Sequence, residues 1–260
     1  MKIRILETSE GVARLVAGRL WQDLEGGARR LGLATGRTMV EIYREFVALA
    51  RDRYRDWDWS TIETFNLDEY VGLGPKDKES FHSFMESHLF SQVPLPMRQT
   101  YLPDGLTKDL DQECERYETL VRQKGLDVQL LGLGTNGHIG FNEPGTLFTA
   151  RTHVVTLSQA TLEQNQHDFA HRKPPSQALT MGIETILSAK RIILVATGVS
   201  KAEALYETLV GPVGPQCPAS ALRLHRDVSV YLDRGLWKHV GLEGQEDDMG
   251  PEISVETPSP

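Results

Sequence analysis

Short apolar, β-branched runs alternate along this chain with longer stretches whose apolar positions recur at helical spacing. The pattern predicts a strand over 3–6 and a helix over 9–24, with Val12, Leu15, Val16, Arg19 and Leu20 on one side and Thr8 or Ser9 as the N-cap. A strand over 30–34 and a helix over 38–51 follow, the helix apolar at Val40, Ile42, Tyr43, Phe46, Val47 and Leu49. Residues 62–67 read as a strand, 80–90 as a helical segment and 111–124 as a charged helix. The run 128–133 is almost wholly apolar, as a strand covered on both faces should be. Strands over 154–157 and 191–196, a helix over 200–210 and a strand over 228–232 complete the series. Strands and helices alternating at these lengths predict an α/β fold with a mainly parallel sheet and helices on both faces. We read residues 1–240 as a single α/β domain. Residues 241–260, acidic and proline-containing with little to bury, read as a disordered tail.

Composition narrows the classes of partner. The formal net charge is −8, which argues against nucleic acid as a partner. An acidic chain that binds an anion must concentrate its positive charge locally. The first ten residues carry charges inside their only apolar stretch and lack the core of a signal peptide. No apolar run approaches the roughly 20 residues that a membrane span needs. The expectation is a cytoplasmic protein with no membrane partner. Cys114 and Cys217 lie far apart in no metal-binding pattern, which suits two unpaired thiols in a reducing compartment.

In an open parallel sheet, ligands bind at the carboxyl ends of the strands near a reversal of strand order. Four polar or glycine-rich clusters fall just after apolar runs. Thr35-Gly36-Arg37-Thr38 can turn tightly, cap a helix with Thr38 and present backbone N–H groups to an anion, with Arg37 suited to phosphate geometry. An ordinary strand–helix turn would read the same way. Asp68 and Glu69, after the strand of 62–67, are either solvated or a base held in a partly apolar site, where a carboxylate keeps its basicity. The segment 131–145 carries five glycines with His138 and Glu143 among them. That spacing is not a helical metal pair, so a proton-shuttling His138 oriented by Glu143 or Asn136 is the better reading, with a structural histidine as the alternative. Lys201, after 191–196, would sit where a helix dipole disfavours a cation unless an anion is bound. Trp57 and Trp59 read as core cover, and 163–175 as a mobile loop or lid. Neither a serine nucleophile elbow nor a Walker loop occurs.

Five stretches together resemble the glucosamine-6-phosphate deaminase family: FNLDEYVGL at 65–73, SFHSFM at 80–85, the GxxGHIGFNEPG pattern at 134–145, ALTMGIETIL at 178–187 and CPASALRLH at 217–225. The resemblance runs from about residue 2 to 233. It implies a modified Rossmann-like α/β fold and a reaction on glucosamine 6-phosphate that yields fructose 6-phosphate and ammonia, without metal or organic cofactor. It casts Asp68 as the base that moves a proton from C2 to C1, and His138 as the group that opens the pyranose ring. Asn136 and Glu143 become the partners of His138. Thr35, Gly36, Arg37, Thr38 and Lys201 become the holders of the sugar phosphate.

The chain departs from the family pattern in places. Asn136 stands where some members carry aspartate, and Arg37-Thr38-Met39 replaces a small residue followed by Thr-Pro. His167 aligns with an arginine that binds phosphate, so Arg37 is expected to supply the missing guanidinium from the other side. His153 and Val155 replace two basic residues that shape an effector site, which implies no activation by N-acetylglucosamine 6-phosphate. A monomer or small homo-oligomer is expected. The rival readings are a galactosamine-6-phosphate isomerase or deaminase, a 6-phosphogluconolactonase, and a non-catalytic sugar-phosphate-binding domain.

Overall fold

The computed structural model describes residues 1–93, 99–169, 173–244 and 254–256. Within these, β1 (Lys2–Leu6), β2 (Arg30–Leu33), β3 (Glu63–Asn66), β5 (Gln99–Tyr101), β6 (Val128–Gly132), β9 (Arg191–Ala196), β10 (Val228–Asp233) and β11 (Ser254–Glu256) form one sheet. Its order is β11-β1-β10-β9-β6-β2-β3-β5, and every pairing is parallel. The central strands β6 and β9 bury nearly every residue, which is why their sequences are continuous rather than alternating apolar runs. The α/β class expected from the alternation is the observed one. Three residues of the segment read as a disordered tail, Ser254–Glu256, pair with β1; the other residues from 245 onward lie outside the described ones.

Strand order reverses at β2. From β2 the chain moves outward to β3 and β5, then returns to place β6 on the other side of β2 and continues to β9 and β10. The carboxyl ends of β2 and β6 therefore flank a crevice, the place where this architecture binds ligands.

Helix α1 (Ser9–Glu25) starts where the Thr8 hydroxyl accepts the Gly11 N–H at 3.1 Å. It buries Val12, Val16 and Leu20 as expected, together with Ala13, Ala17, Trp21 and Leu24, while Leu15 and Arg19 sit at the margin. Helix α2 (Arg37–Asp52) packs against α1 and buries Met39, Ile42, Tyr43 and Phe46. Trp21 stacks on Phe46 at 4.7 Å and meets Trp57 and Trp59 edge-on, so both tryptophans do cover this part of the core.

Two predicted helices are mixed. The segment 80–90 is α3 (Phe81–Met85) followed by a π-turn over Glu86–Phe90, and 200–210 is a 3-10 turn over Val199–Lys201 followed by α7 (Ala202–Leu209). The expected strand at 154–157 exists as β7 (His153–Thr156), but outside the main sheet. It belongs to a small antiparallel sheet with β4 (Asp68–Tyr70) and β8 (Gln177–Thr180), ordered β4-β8-β7. Its residues are only half-buried, so it suits a sheet with one wet face and not a strand enclosed on both.

One carboxylate ties the helix layer to the loop that leads into β7. Glu118 of α4 (Leu110–Lys124) accepts the Thr152 N–H at 3.0 Å, the Thr152 hydroxyl at 2.6 Å and the Thr185 hydroxyl at 2.7 Å, and pairs with Arg122. Burial raises its pKa and these hydrogen bonds lower it; the net direction is down. Thr185 lies on α6 (Ile183–Leu187), so two helices and the loop leading into β7 meet at this group. Among the described residues, no helix is long and apolar enough to cross a membrane.

Candidate active site

The turn after β2 is made by Gly36, whose φ of +101° is rarely adopted by residues with a side chain. Gly36 occupies the N-cap of α2, and no side chain caps that helix. Thr38, expected as the cap, is the second helical residue, because the glycine conformation starts the helix one residue earlier. The first N–H groups of a 16-residue helix are thus left to face the crevice, where they and the helix dipole favour an anion.

A second turn comes from β9. Gly198 donates its N–H to Asp233 Oδ2 at 2.8 Å, and the other oxygen of Asp233 caps α8 (Arg234–Val240) through Leu236 N–H at 2.8 Å. Asp233 therefore fixes the ends of β9 and β10 together and sets the 3-10 turn carrying Lys201. Burial lowers the pKa of Lys201, and the neighbouring Arg37 charge lowers it further. A part-buried lysine held beside a second cation marks a place for an anion.

The glycine-rich turn after β6 folds back on itself, with Gly134 N–H donating to His138 O at 2.9 Å. A Cβ on Gly134 would lie 2.4 Å from the His138 ring, so only glycine lets the imidazole lie over that backbone. Asn136 Oδ1 faces His138 Nδ1 at 2.7 Å and also accepts the His138 backbone N–H at 3.2 Å, while Asn136 Nδ2 donates to Glu143 Oε2 at 2.8 Å. A carboxylate only accepts, so the amide orientation is fixed, and with it the imidazole tautomer: Nδ1 carries the proton and Nε2 presents a lone pair. Burial lowers the pKa of His138; Glu143 opposes that shift and Lys201 adds to it.

Asp68 opens β4, separated from the end of β3 by Leu67 alone, and pairs across the ladder with Thr180. Its carboxyl is buried, and burial together with the neighbouring Glu69 charge raises its pKa to about 8. Glu69 is itself buried but satisfied: its oxygens accept the backbone N–H groups of Tyr70 (2.9 Å), Phe81 (3.0 Å) and His82 (3.0 Å). Burial outweighs these bonds and raises its pKa to about 7. Tyr70, Phe81 and Phe141 form an aromatic wall beside Asp68, with Tyr70 and Phe81 centroids 4.8 Å apart.

These elements enclose one cavity of about 770 Å³. Asp68, His138, Thr35, Gly36, Arg37, Thr38 and Lys201 all line it. Asn136 and Glu143 stand behind His138. His167 is not among the lining residues: it is exposed on a 3-10 turn over Gln166–Asp168 beyond α5 (Gln159–Asn165). The expected lid at 163–175 begins as helix; its residues 170–172 lie outside the described ones. Asn165, at the end of α5, does line the cavity and donates to the Tyr70 hydroxyl at 2.8 Å. Sequence reasoning missed Asn165, Ser200 and the aromatic wall, and it missed Ser158 and Thr161, which reach Glu143 from the start of α5. The only available signal was the Ser-x-x-Thr spacing of a helix cap.

The fold and cavity define an α/β protein with a crevice at the switch point of a parallel sheet, lined by two cations, a carboxyl and an imidazole. The family model described as glucosamine-6-phosphate isomerases/6-phosphogluconolactonase matches residues 7–231. The chain is 45% identical over 238 residues to glucosamine-6-phosphate deaminase 1 of Bacillus subtilis (strain 168), spanning 90% of this chain and 97% of the relative. It is 43% identical over 234 residues to the glucosamine-6-phosphate deaminase of Streptococcus thermophilus (strain ATCC BAA-491 / LMD-9), with 90% and 97% covered. A solved structure of a monomeric glucosamine-6-phosphate deaminase superposes with a TM-score of 0.87 at 42% identity, covering 92% of this chain and all of that one. The 6-phosphogluconolactonase of Leishmania guyanensis, at 20% identity and a TM-score of 0.73 over 92% of this chain and 98% of its own, shares the fold. The chain belongs to the glucosamine-6-phosphate isomerase/6-phosphogluconolactonase family.

Proposed function

We propose that this chain converts glucosamine 6-phosphate and water to fructose 6-phosphate and ammonia. One observation carries the reading: Asp68 and His138 face a single cavity whose other side offers Lys201, Arg37 and the open N-terminus of α2. The phosphate is held at that positive side by Thr35, Gly36, Arg37, Thr38 and Lys201, which anchors the sugar away from its reacting carbons. Arg37 takes the place of a guanidinium on the lid side, where His167 points outward.

His138 Nε2 takes the proton of the anomeric hydroxyl and returns it to the ring oxygen as the C1–O5 bond breaks, leaving the open-chain aldehyde. Glu143 and Asn136 stabilise the imidazolium formed in between. The C2 ammonium beside Asp68 favours its ionised form, and the carboxylate removes the C2 proton. A proton of the ammonium compensates the C1 oxygen, giving the enolamine. Asp68 then delivers its proton to C1, which leaves an iminium at C2. Water adds there, and ammonia departs as the ketone forms. A single buried carboxyl suits this work because it keeps the proton between the two transfers.

A cytoplasmic location and a monomer or small homo-oligomer belong to the same reading; the likeness to a monomeric deaminase supports the latter. The test is ammonia release from glucosamine 6-phosphate and galactosamine 6-phosphate assayed in parallel. Release from the gluco epimer is expected. Release only from the galacto epimer would reassign the substrate, and release from neither would overturn the reading.

A further inference from the structure

Glu143 is held from two sides. Asn136 Nδ2 donates to Oε2 at 2.8 Å, and on the other side the Thr161 hydroxyl donates to Oε1. Thr161 is buried in the first turn of α5, and its hydroxyl accepts in turn from Ser158, the N-cap of that helix, at 3.0 Å. Ser158 also lies 3.3 Å from Glu143 Oε1 and accepts the Thr161 N–H at 3.2 Å. A continuous line of hydrogen bonds thus runs from Ser158 through Thr161, Glu143 and Asn136 to His138 Nδ1.

Directionality makes this line more than a set of contacts. Glu143 accepts from both ends, so the Asn136 amide must turn its NH₂ toward Glu143 and its oxygen toward His138. If Glu143 swings away, only the longer contact from the His138 backbone N–H to Asn136 Oδ1, at 3.2 Å, still favours that orientation. A flipped amide would offer its NH₂ to His138 Nδ1, move the imidazole proton to Nε2 and remove the lone pair from the cavity. An oxygen acceptor on a flexible glutamate needs a donor on its far side to stay in place, and Thr161 is the closest one.

We propose that Thr161 is a positioning residue of this site, holding Glu143 so that Asn136 keeps His138 in the Nδ1–H tautomer. The inference rests on the deaminase reading for its kinetic consequence but not for its tautomer. It also gives α5 a role: docking that helix completes the hydrogen-bond line behind His138, and Asn165 at its other end bonds Tyr70, two residues beyond Asp68.

The experiment compares Thr161→Val, which keeps the shape and removes the hydroxyl, with Thr161→Ser, which keeps the hydroxyl. The 15N resonances of the His138 ring report the tautomer with no substrate present. Wild type and Thr161→Ser should show Nδ1–H; Thr161→Val should show a mixture. In ammonia release, kcat of Thr161→Val should fall about tenfold, with KM changed less than about threefold, and Thr161→Ser should stay within about twofold of wild type. If Thr161→Val does not fold, Ser158→Ala carries the test through a smaller shift in the same ring resonances. Unchanged resonances in Thr161→Val, or in Ser158→Ala where that variant must substitute, would overturn the inference. So would a Thr161→Ser loss as large as that of Thr161→Val. Wild-type protein that releases no ammonia would instead defeat the substrate assignment, while the ring resonances would still decide the role of Thr161.

Discussion

Asp68 sits on a strand, buried beside aromatic rings with a second carboxyl next to it; His138 sits in a glycine-rich turn, partly open to the cavity and backed by an amide and a carboxylate. The strand side has little polar support and relies on burial, which pushes Asp68 up to about 8. The turn side is laced with directed hydrogen bonds and relies on orientation, with burial pushing His138 down. Both environments therefore disfavour charge, and the basic side chains lining the cavity are Lys201 and Arg37. Such a cavity selects a ligand that brings its own opposite charges to the right places. In the proposed reading a phosphosugar with an ammonium at C2 does so, its phosphate toward the cations and its ammonium toward the carboxyl.

The largest effect should come from the buried side. Asp68→Asn keeps shape and removes the base, so kcat/KM for ammonia release should fall by about three to four orders of magnitude. A variant retaining a tenth of wild-type activity would show that the proton is carried elsewhere. Hydrolysis of 6-phosphogluconolactone, which needs no C2 base, sharpens the contrast: a wild-type rate that survives Asp68→Asn would move the chain toward the lactonase reading.

A smaller effect is expected at the cationic side. Arg37→Ala should raise KM about tenfold with little change in kcat, because the lost contact is present equally in ground and transition states. An unchanged KM would remove Arg37 from the phosphate site.

The smallest effect concerns pH. Free enzyme needs ionised Asp68, so kcat/KM should rise with pH through about 8. Stability runs the other way. The folded state holds the Asp68 proton more tightly than the unfolded chain between its ordinary 3.8 and about 8, so stability falls as pH rises across that window. Asp68→Asn abolishes this dependence. Its Tm, relative to wild type, should be higher by several degrees at pH 8 than at pH 5; a difference that shrinks with pH would refute the assignment.

Most of the parallel sheet was legible because its strands are long apolar runs: 128–133 and 191–196 could hardly be anything else. The turns after them were legible because glycines and polar residues cluster there. The small sheet was not. Asp68–Tyr70 is three residues with two acids in succession, and it pairs only because Gln177–Thr180 reaches it from more than a hundred positions away. The short α6 and α8 were likewise hidden, five and seven residues long. Within the site, Asp68 and His138 could be named from sequence, but the cavity's aromatic wall and the Thr161 contact could not. Those depend on α5 docking beside a turn from another part of the chain. His167 failed for a related reason: alignment gives a position along α5 and its extension, but not the side of the chain on which it emerges.

The Glu118 fastening has a consequence at the acid end. Its carboxyl is held below the ordinary value, so its contribution to stability is present above the unfolded pKa and fades as pH falls through the folded one. The Asp68 contribution is lost toward alkali and the Glu118 contribution toward acid. Acidification should therefore loosen α4 from the loop that leads into β7 and from α6 while the apolar parallel strands still hold.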